Sequence, residues 1–76
     1  MTGSDHLNVR DPSVLLRLLL DEPQTRYAED ELARELGWPP SRVEAALADL
    51  VGAGLAHHHE GFALASRAAV RAAELL

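Results

Sequence analysis

The densest group of chemically versatile side chains is the run His57, His58 and His59, which is followed by Glu60. Imidazole titrates near neutral pH and binds transition metals, so this run could form a metal site or a pH-dependent charge patch. In a strand, His57 and His59 would lie on one face. A zinc site needs at least three ligands, and the further candidates are Glu60, in the adjoining turn, and His6, near the start of the chain. We therefore expect a polar hairpin tip that binds no metal and no cofactor and gains positive charge in acid.

The two serines most open to a nucleophilic role are Ser41 and Ser66, and both come at predicted helix starts. Capping or a first-turn position explains a hydroxyl there, and no histidine–carboxylate arrangement is visible to activate either one. The chain has no cysteine, which excludes a disulfide scaffold and any thiolate zinc site. The sequence therefore predicts a protein that is not an enzyme.

The composition indicates one small helical domain with an acidic surface. Of the 76 residues, 47% are hydrophobic but only 4% are aromatic, so leucine, alanine and valine must form the core, which favours helices. Twelve acidic residues outnumber seven basic residues, all of them arginine, which gives a net charge of −5.

The apolar stretches are far shorter than the ~20 residues that span a bilayer. The first residues also lack the pattern of a secretory signal. We expect a cytoplasmic protein with no membrane partner.

The first part of the chain predicts a flexible arm followed by a helix. Residues 1–10 are polar and lack apolar periodicity, whereas residues 11–76 carry helix and strand patterns and form the predicted domain. Asp11 can cap a helix that continues through Pro12 and stops before Pro23. Its predicted inward positions are Val14, Leu15, Leu18 and Leu19.

Two further helices are predicted on either side of a tight turn. Arg26 and Tyr27 form a link that could contain a very short strand. The acids after it favour a helix start, and Gly37 suits the left-handed position after the end of this second helix. Pro40 can open a third helix that reaches Gly52. The predicted inward positions of the two helices are Leu32, Ala33, Leu36, Val43, Ala46, Leu47, Leu50 and Val51.

The periodicity then changes to that of a hairpin and a last helix. A two-residue turn would require a positive φ at Glu60, so we predict a three-residue loop, His59–Gly61, with Gly61 in the left-handed position. This register places Ala56, His58, Phe62 and Leu64 on one face. Ser66 caps the predicted last helix, Arg67–Leu76. The inward positions predicted for that helix are Val70, Ala73 and Leu76.

This order of elements resembles the winged helix-turn-helix domain of bacterial transcriptional regulators. The likeness is carried, in chain order, by Glu31, Leu32, Ala33, Gly37, Val43, Leu47, Leu50, Gly54, Leu55, Phe62 and Leu64. It covers the chain from about Asp11 to Ser66, and its specificity lies in the order and spacing of these residues. The resemblance implies an α+β, mostly helical fold with a three-helix core, a two-stranded wing and a C-terminal helix.

The resemblance also implies a DNA-binding function, such as that of a small transcriptional regulator. In that family, the helix after the tight turn enters the major groove and the wing touches the backbone or the minor groove. The corresponding contact residues here would be Ser41, Arg42 and Ala45 on the third helix, with His57 and His59 on the wing.

The chain departs from the family pattern at three places. Ala28 stands where a capping serine or threonine is frequent, and Pro39 replaces a capping residue before the third helix. The wing carries His57–Glu60 in place of arginine or lysine.

The charge supports an alternative, a winged-helix module that binds proteins and no nucleic acid. DNA affinity comes largely from basic groups that neutralise phosphates, yet on the third helix Arg42 is outnumbered by Glu44 and Asp49. The last helix, Arg67–Leu76, has more apolar surface than one face needs and could dock a protein partner or a second copy of the chain.

The position of four arginines in the structure distinguishes the two functions. Their convergence beside the third helix would favour DNA, and an acidic or apolar surface there would favour a protein. These arginines are Arg10, Arg26, Arg42 and Arg67.

Overall fold

A computed structural model describes residues 10–75 as a small, mostly helical α+β arrangement. Within this range the elements are α1 Arg10–Asp21, β1 Tyr27–Ala28, α2 Glu29–Leu36, α3 Pro40–Gly52, β2 Ala56–His59, β3 Phe62–Ala65 and α4 Arg67–Glu74. The strands form an antiparallel sheet in the order β1-β3-β2. Four helices and a three-stranded sheet in this order are consistent with a winged-helix-like layout.

Helix α1 spans Arg10–Asp21, so it already contains Asp11, and the prediction that Asp11 precedes the helix as its cap, with Pro12 as the first helical residue, is wrong. The rest of the arm predicted for residues 1–10 lies outside the described residues. Leu15 and Leu19 are fully buried, as predicted, and Leu18 is half-buried, whereas Val14 is exposed. Leu16 and Leu20, which were not among the predicted inward positions, are half-buried and pack against the core. The inward surface of α1 is therefore shifted toward the end of the helix, relative to the prediction.

The connection between α2 and α3 confirms the predicted turn. Gly37 adopts a left-handed conformation with φ of 69°, and the Trp38 N–H donates to the Ala33 carbonyl at 3.0 Å. Pro40 is the first residue of α3, where its missing N–H costs nothing because that group has no partner within the helix. The turn is fixed by residues a few positions apart, which is why the sequence predicts it.

Most of the predicted core of α2 and α3 is confirmed. The buried residues of these helices are Leu32, Val43, Ala46, Leu47 and Leu50. Ala33 and Leu36 are half-buried and pack against this core. The prediction for Val51 is wrong, because this side chain is 42% exposed.

The hairpin has a two-residue turn, so the predicted three-residue loop is wrong. His59 pairs with Phe62, and the turn residues Glu60 and Gly61 have φ of 52° and 81°. Two successive positive φ values are those of a type I′ turn, whose twist matches that of the flanking strands. Gly61 is left-handed as predicted, but Glu60 is left-handed as well, despite the steric cost to a residue with a side chain.

The shorter turn reverses the predicted faces of β3. Ala63 and Ala65 are buried beside Ala56, while Phe62 is 43% exposed on the other face. A shift of one residue sends every side chain of a strand to the opposite face. Small alanines, rather than Phe62 and Leu64, therefore fill the space between the sheet and the helices.

The link before α2 contains the very short strand suggested by the sequence. In β1, Tyr27 and Ala28 pair with Ala63 and Phe62 of β3. The Glu29 N–H then donates to the Gly61 carbonyl at 3.1 Å. The start of α2 is thereby fixed to the tip of the hairpin.

Ser66 caps α4, as predicted, and also links it to the end of α3. Its Oγ accepts a hydrogen bond from the Ala69 N–H at 3.1 Å and donates to the Gly54 carbonyl at 2.7 Å. The inward residues of α4 are Ala69, which is buried, and Val70, which is half-buried. The prediction for Ala73 is wrong because its side chain is exposed, and Leu76 lies outside the described residues.

The end of α4 carries apolar surface that the described chain does not cover. The helix ends at Glu74, and the following residue, Leu75, is 86% exposed. Across residues 10–75, none of the helices combines the length and the apolar character needed to cross a bilayer.

Candidate nucleic-acid interface

The exposed surface of α3 presents the residues that the resemblance implies for DNA contact. Ser41, Arg42 and Ala45 are all exposed on the first two turns of the helix. Together with Asp11 and Asp49 they border a shallow cleft of ≈380 Å³ between α1 and α3. The cleft contains two carboxylates and one guanidinium, so its fixed charge is not positive.

Arg42 is held by a carboxylate and by an aromatic ring. Its Nε and Nη2 donate to Oδ2 and Oδ1 of Asp11 at 2.8 and 2.9 Å. Its Cζ lies 4.2 Å from the ring centroid of Trp38, which places the guanidinium over the indole face. The hydrogen bonds from Arg42 lower the pKa of Asp11, and the same bonds raise the pKa of Arg42. A phosphate that approaches α3 must therefore compete with Asp11 for the charge of Arg42.

No pattern in the sequence predicts this cluster of Asp11, Trp38 and Arg42. Asp11 is predicted from the sequence only as a helix cap, and Trp38 packs against the core beside the turn. Asp11 and Arg42 are 31 positions apart, so no local spacing connects them. Only the packing of α1 beside α3 brings the carboxylate to the arginine.

Negative charge is concentrated on α2 and α3, the two helices on either side of the tight turn. From 27 to 52 the chain carries six acids, Glu29, Asp30, Glu31, Glu35, Glu44 and Asp49, and two bases, Arg34 and Arg42, which gives a net charge of −4. The segment 10–26 has three arginines and three acids, and the segment 53–75 has two of each. With histidine counted as neutral, each of these segments has a net charge of zero. The acidity of the described chain therefore lies on α2 and α3.

The three histidines do not act as one group. His57 and His59 lie on the outer face of β2, as expected for alternate strand residues, while His58 lies on the opposite face. There the His58 Nε2 pairs with Oε2 of Glu29 in the first turn of α2. His59 Nε2 lies 3.8 Å from Oε1 of Glu60. Among residues 10–75, no three metal-ligating side chains come close enough to hold an ion.

The four arginines named as the test of DNA binding do not converge on α3. Arg10 and Arg42 border a cleft beside Val14 and Trp38. Arg26 instead borders a cleft with His59, and Arg67 borders one with His57, both on the outer side of the hairpin. We call the surface around these two clefts the hairpin face. It comprises Arg26, His57, His59, Glu60, Phe62, Leu64, Arg67, Arg71 and Glu74.

The comparisons with known proteins add no identification. No protein-family model matches the chain, and no curated protein or solved structure is significantly similar to it. The winged-helix resemblance is thus carried by the sequence pattern and by the order of the elements.

Proposed function

We propose that this chain is a winged-helix-type binding module whose α2–α3 surface docks a protein. The observation that carries the proposal is the net charge of −4 on the segment 27–52, together with the pairing of Arg42 to Asp11. We propose no catalytic role, because the residues that this surface presents contain no activated nucleophile.

Electrostatics favours a protein over DNA at this surface. A protein that binds duplex DNA draws much of its affinity from lysine and arginine groups at the phosphates. The α2–α3 pair has two arginines, and Arg42 already has a carboxylate partner. The pair also carries six carboxylates, of which Glu29 pairs with His58. Their excess over the two arginines would repel the phosphates over distances of roughly the Debye length, about 8 Å at physiological salt.

The shape and chemistry of α3 fit a basic protein segment. Ala45, Ala48 and Gly52 are exposed at helical spacing, so the backbone of a partner can approach closely. Glu44 and Asp49 flank these small residues and can accept hydrogen bonds from arginine or lysine. The partner class proposed here is therefore a cationic helix or extended segment.

Octa-arginine, titrated into the isotopically labelled chain and followed by amide chemical shifts, tests this proposal. We expect the largest shifts on α3 and weaker binding in Glu44→Gln/Asp49→Asn. The matched control is Asp21→Asn/Glu22→Gln, which removes the same charge from exposed positions outside α2 and α3. Equal weakening in both variants would show attraction to net charge alone and would refute a specific α3 surface.

DNA binding is the second candidate, and the hairpin face is the observation that favours it. His57 and His59 are exposed there beside Arg26 and Arg67, at the place where a wing would meet the DNA backbone. Protonation of these imidazoles in acid adds positive charge to that face. If the chain binds DNA through its wing, affinity must rise from about pH 7.5 to about pH 5.5 and fall steeply with salt.

A titration of fluorescent duplex DNA at these two pH values distinguishes the candidates. DNA binding predicts that His57→Ala/His59→Ala flattens the pH response and that Arg42→Ala weakens binding at both pH values. The protein-docking proposal predicts no measurable binding near neutral pH and no effect of Arg42→Ala on DNA affinity.

A further inference from the structure

We propose that the groove between the hairpin and α4 binds a small amphipathic anion, a carboxylate or phosphate ester that carries an apolar group. The groove has a volume of ≈590 Å³ and lies between the α1–β1 link, the outer face of the sheet and α4. Its size falls within the range of small-molecule sites. The residues that define its chemistry are Pro23, His57, Leu64, Arg67, Val70 and Arg71.

Two arginines supply the anion-binding groups of this groove. Arg67 and Arg71 are one turn apart on α4 and line the groove together. Neither forms an ion pair with another residue of the segment 10–75. A guanidinium fork matches the geometry of a carboxylate or phosphate. Glu74, also at the groove, offsets one of these charges, so the two arginines leave a net positive charge there.

Apolar side chains form the other part of the lining. Pro23, Leu64 and Val70 are each half-buried, so part of their surface is open to the groove. Covering this surface removes it from water and favours a ligand with an apolar group. An inorganic anion would engage the arginines and leave Leu64 and Val70 exposed.

This combination favours a small ligand over a nucleic acid. A DNA backbone could supply phosphates to Arg67 and Arg71, but its charged groups would not cover Leu64 and Val70. The groove also lies away from the α3 surface proposed for protein docking, so its occupation does not depend on that proposal.

Octanoate, inorganic phosphate and 1-octanol are the three probes, each titrated into the isotopically labelled full chain. We expect octanoate to shift the amides of Leu64, Arg67, Val70 and Arg71 with millimolar affinity. Phosphate should bind at least tenfold more weakly because it cannot cover the apolar lining, and octanol should bind at least tenfold more weakly because it carries no charge. Equal affinity of octanoate and either of the other probes would overturn the proposal.

Substitution of the arginines locates the site. Arg67→Gln/Arg71→Gln should weaken octanoate binding about tenfold or more, and Arg71→Gln alone, which leaves the first turn of α4 intact, about threefold. The matched control, Arg17→Gln/Arg34→Gln, removes the same charge from exposed positions on α1 and α2 and should leave affinity unchanged. Equal weakening in the control would show that octanoate affinity depends only on the net charge of the chain, and would refute the site. The proposal would also be refuted if short duplex DNA shifted the same amides and octanoate caused no shift, because the groove would then be part of a nucleic-acid-binding surface.

Discussion

Replacing Ser66 with alanine should destabilise the fold far more than the loss of one surface hydroxyl would. Ser66 is only 4% exposed, and its Oγ joins the first turn of α4 to the Gly54 carbonyl after α3. Loss of the cap costs about 1 kcal/mol. The Gly54 carbonyl also loses a partner in a partly buried setting, which costs about another 1 kcal/mol. We therefore expect Ser66→Ala to lower the free energy of unfolding by about 2 kcal/mol.

Thermal and urea melts followed by circular dichroism measure this loss. At about 4–8 °C per kcal/mol for a domain of this size, Tm should fall by about 8–16 °C. The matched control is Ser41→Ala, because the Ser41 hydroxyl is exposed and makes no hydrogen bond to the rest of the described chain. That variant should stay within about 0.5 kcal/mol of the wild type. An equally small effect of Ser66→Ala would refute its role in joining α3 to α4.

Three further perturbations test the core, the turn and the ion pair. Leu47 is buried at the centre of α3, so Leu47→Ala should cost about 2–5 kcal/mol in a urea melt, and an unchanged midpoint would contradict the packing of α3. At Gly61 an added Cβ meets no atom within 4 Å, so Gly61→Ala should cost only the backbone penalty of about 1–2 kcal/mol, and a larger loss would indicate a clash. The bonds from Arg42 lower the pKa of Asp11 in the folded chain, so their stabilisation is present above about pH 4 and is lost as pH falls further. The difference in urea midpoint between wild type and Asp11→Asn should therefore shrink in acid, and a constant difference would contradict the pairing.

The parts of the fold that the sequence predicts are those fixed by neighbouring residues. Gly37 ends α2, Pro40 opens α3 and Ser66 caps α4, and in each case the requirement concerns a single turn of backbone. The stripe of α3 is also predictable, since its buried leucines and alanine recur at helical spacing.

The hairpin register was not predictable because a local backbone cost at the turn opposes a gain in packing elsewhere. A left-handed Glu60 costs roughly 1–2 kcal/mol, which favoured the longer loop. The two-residue turn instead lets Ala56, Ala63 and Ala65 pack against the helices, and this tertiary gain outweighs the local cost. Because successive side chains of a strand point to opposite faces, this register then determines the face on which every side chain of β3 lies.

The candidate site shows the same division between local and distant causes. The exposure of Ser41, Arg42 and Ala45 follows from their positions on α3. The engagement of Arg42 by Asp11 depends on how α1 packs beside α3, and sequence periodicity does not contain that information. This contact, together with the charge of −4 on the segment 27–52, changes the expectation for DNA.

We propose that the charge of α2 and α3 keeps this surface from binding DNA, and charge reversal tests this proposal most directly. Glu44→Arg/Asp49→Arg and the control Asp21→Arg/Glu22→Arg each change the net charge from −5 to −1 at exposed positions, but only the first does so on α3. In fluorescence titrations of duplex DNA at low salt near neutral pH, we predict no binding by the wild type. Salt-sensitive binding should appear in the α3 variant and should be much weaker or absent in the control. Tight binding by the wild type that Arg42→Ala abolishes would contradict the account.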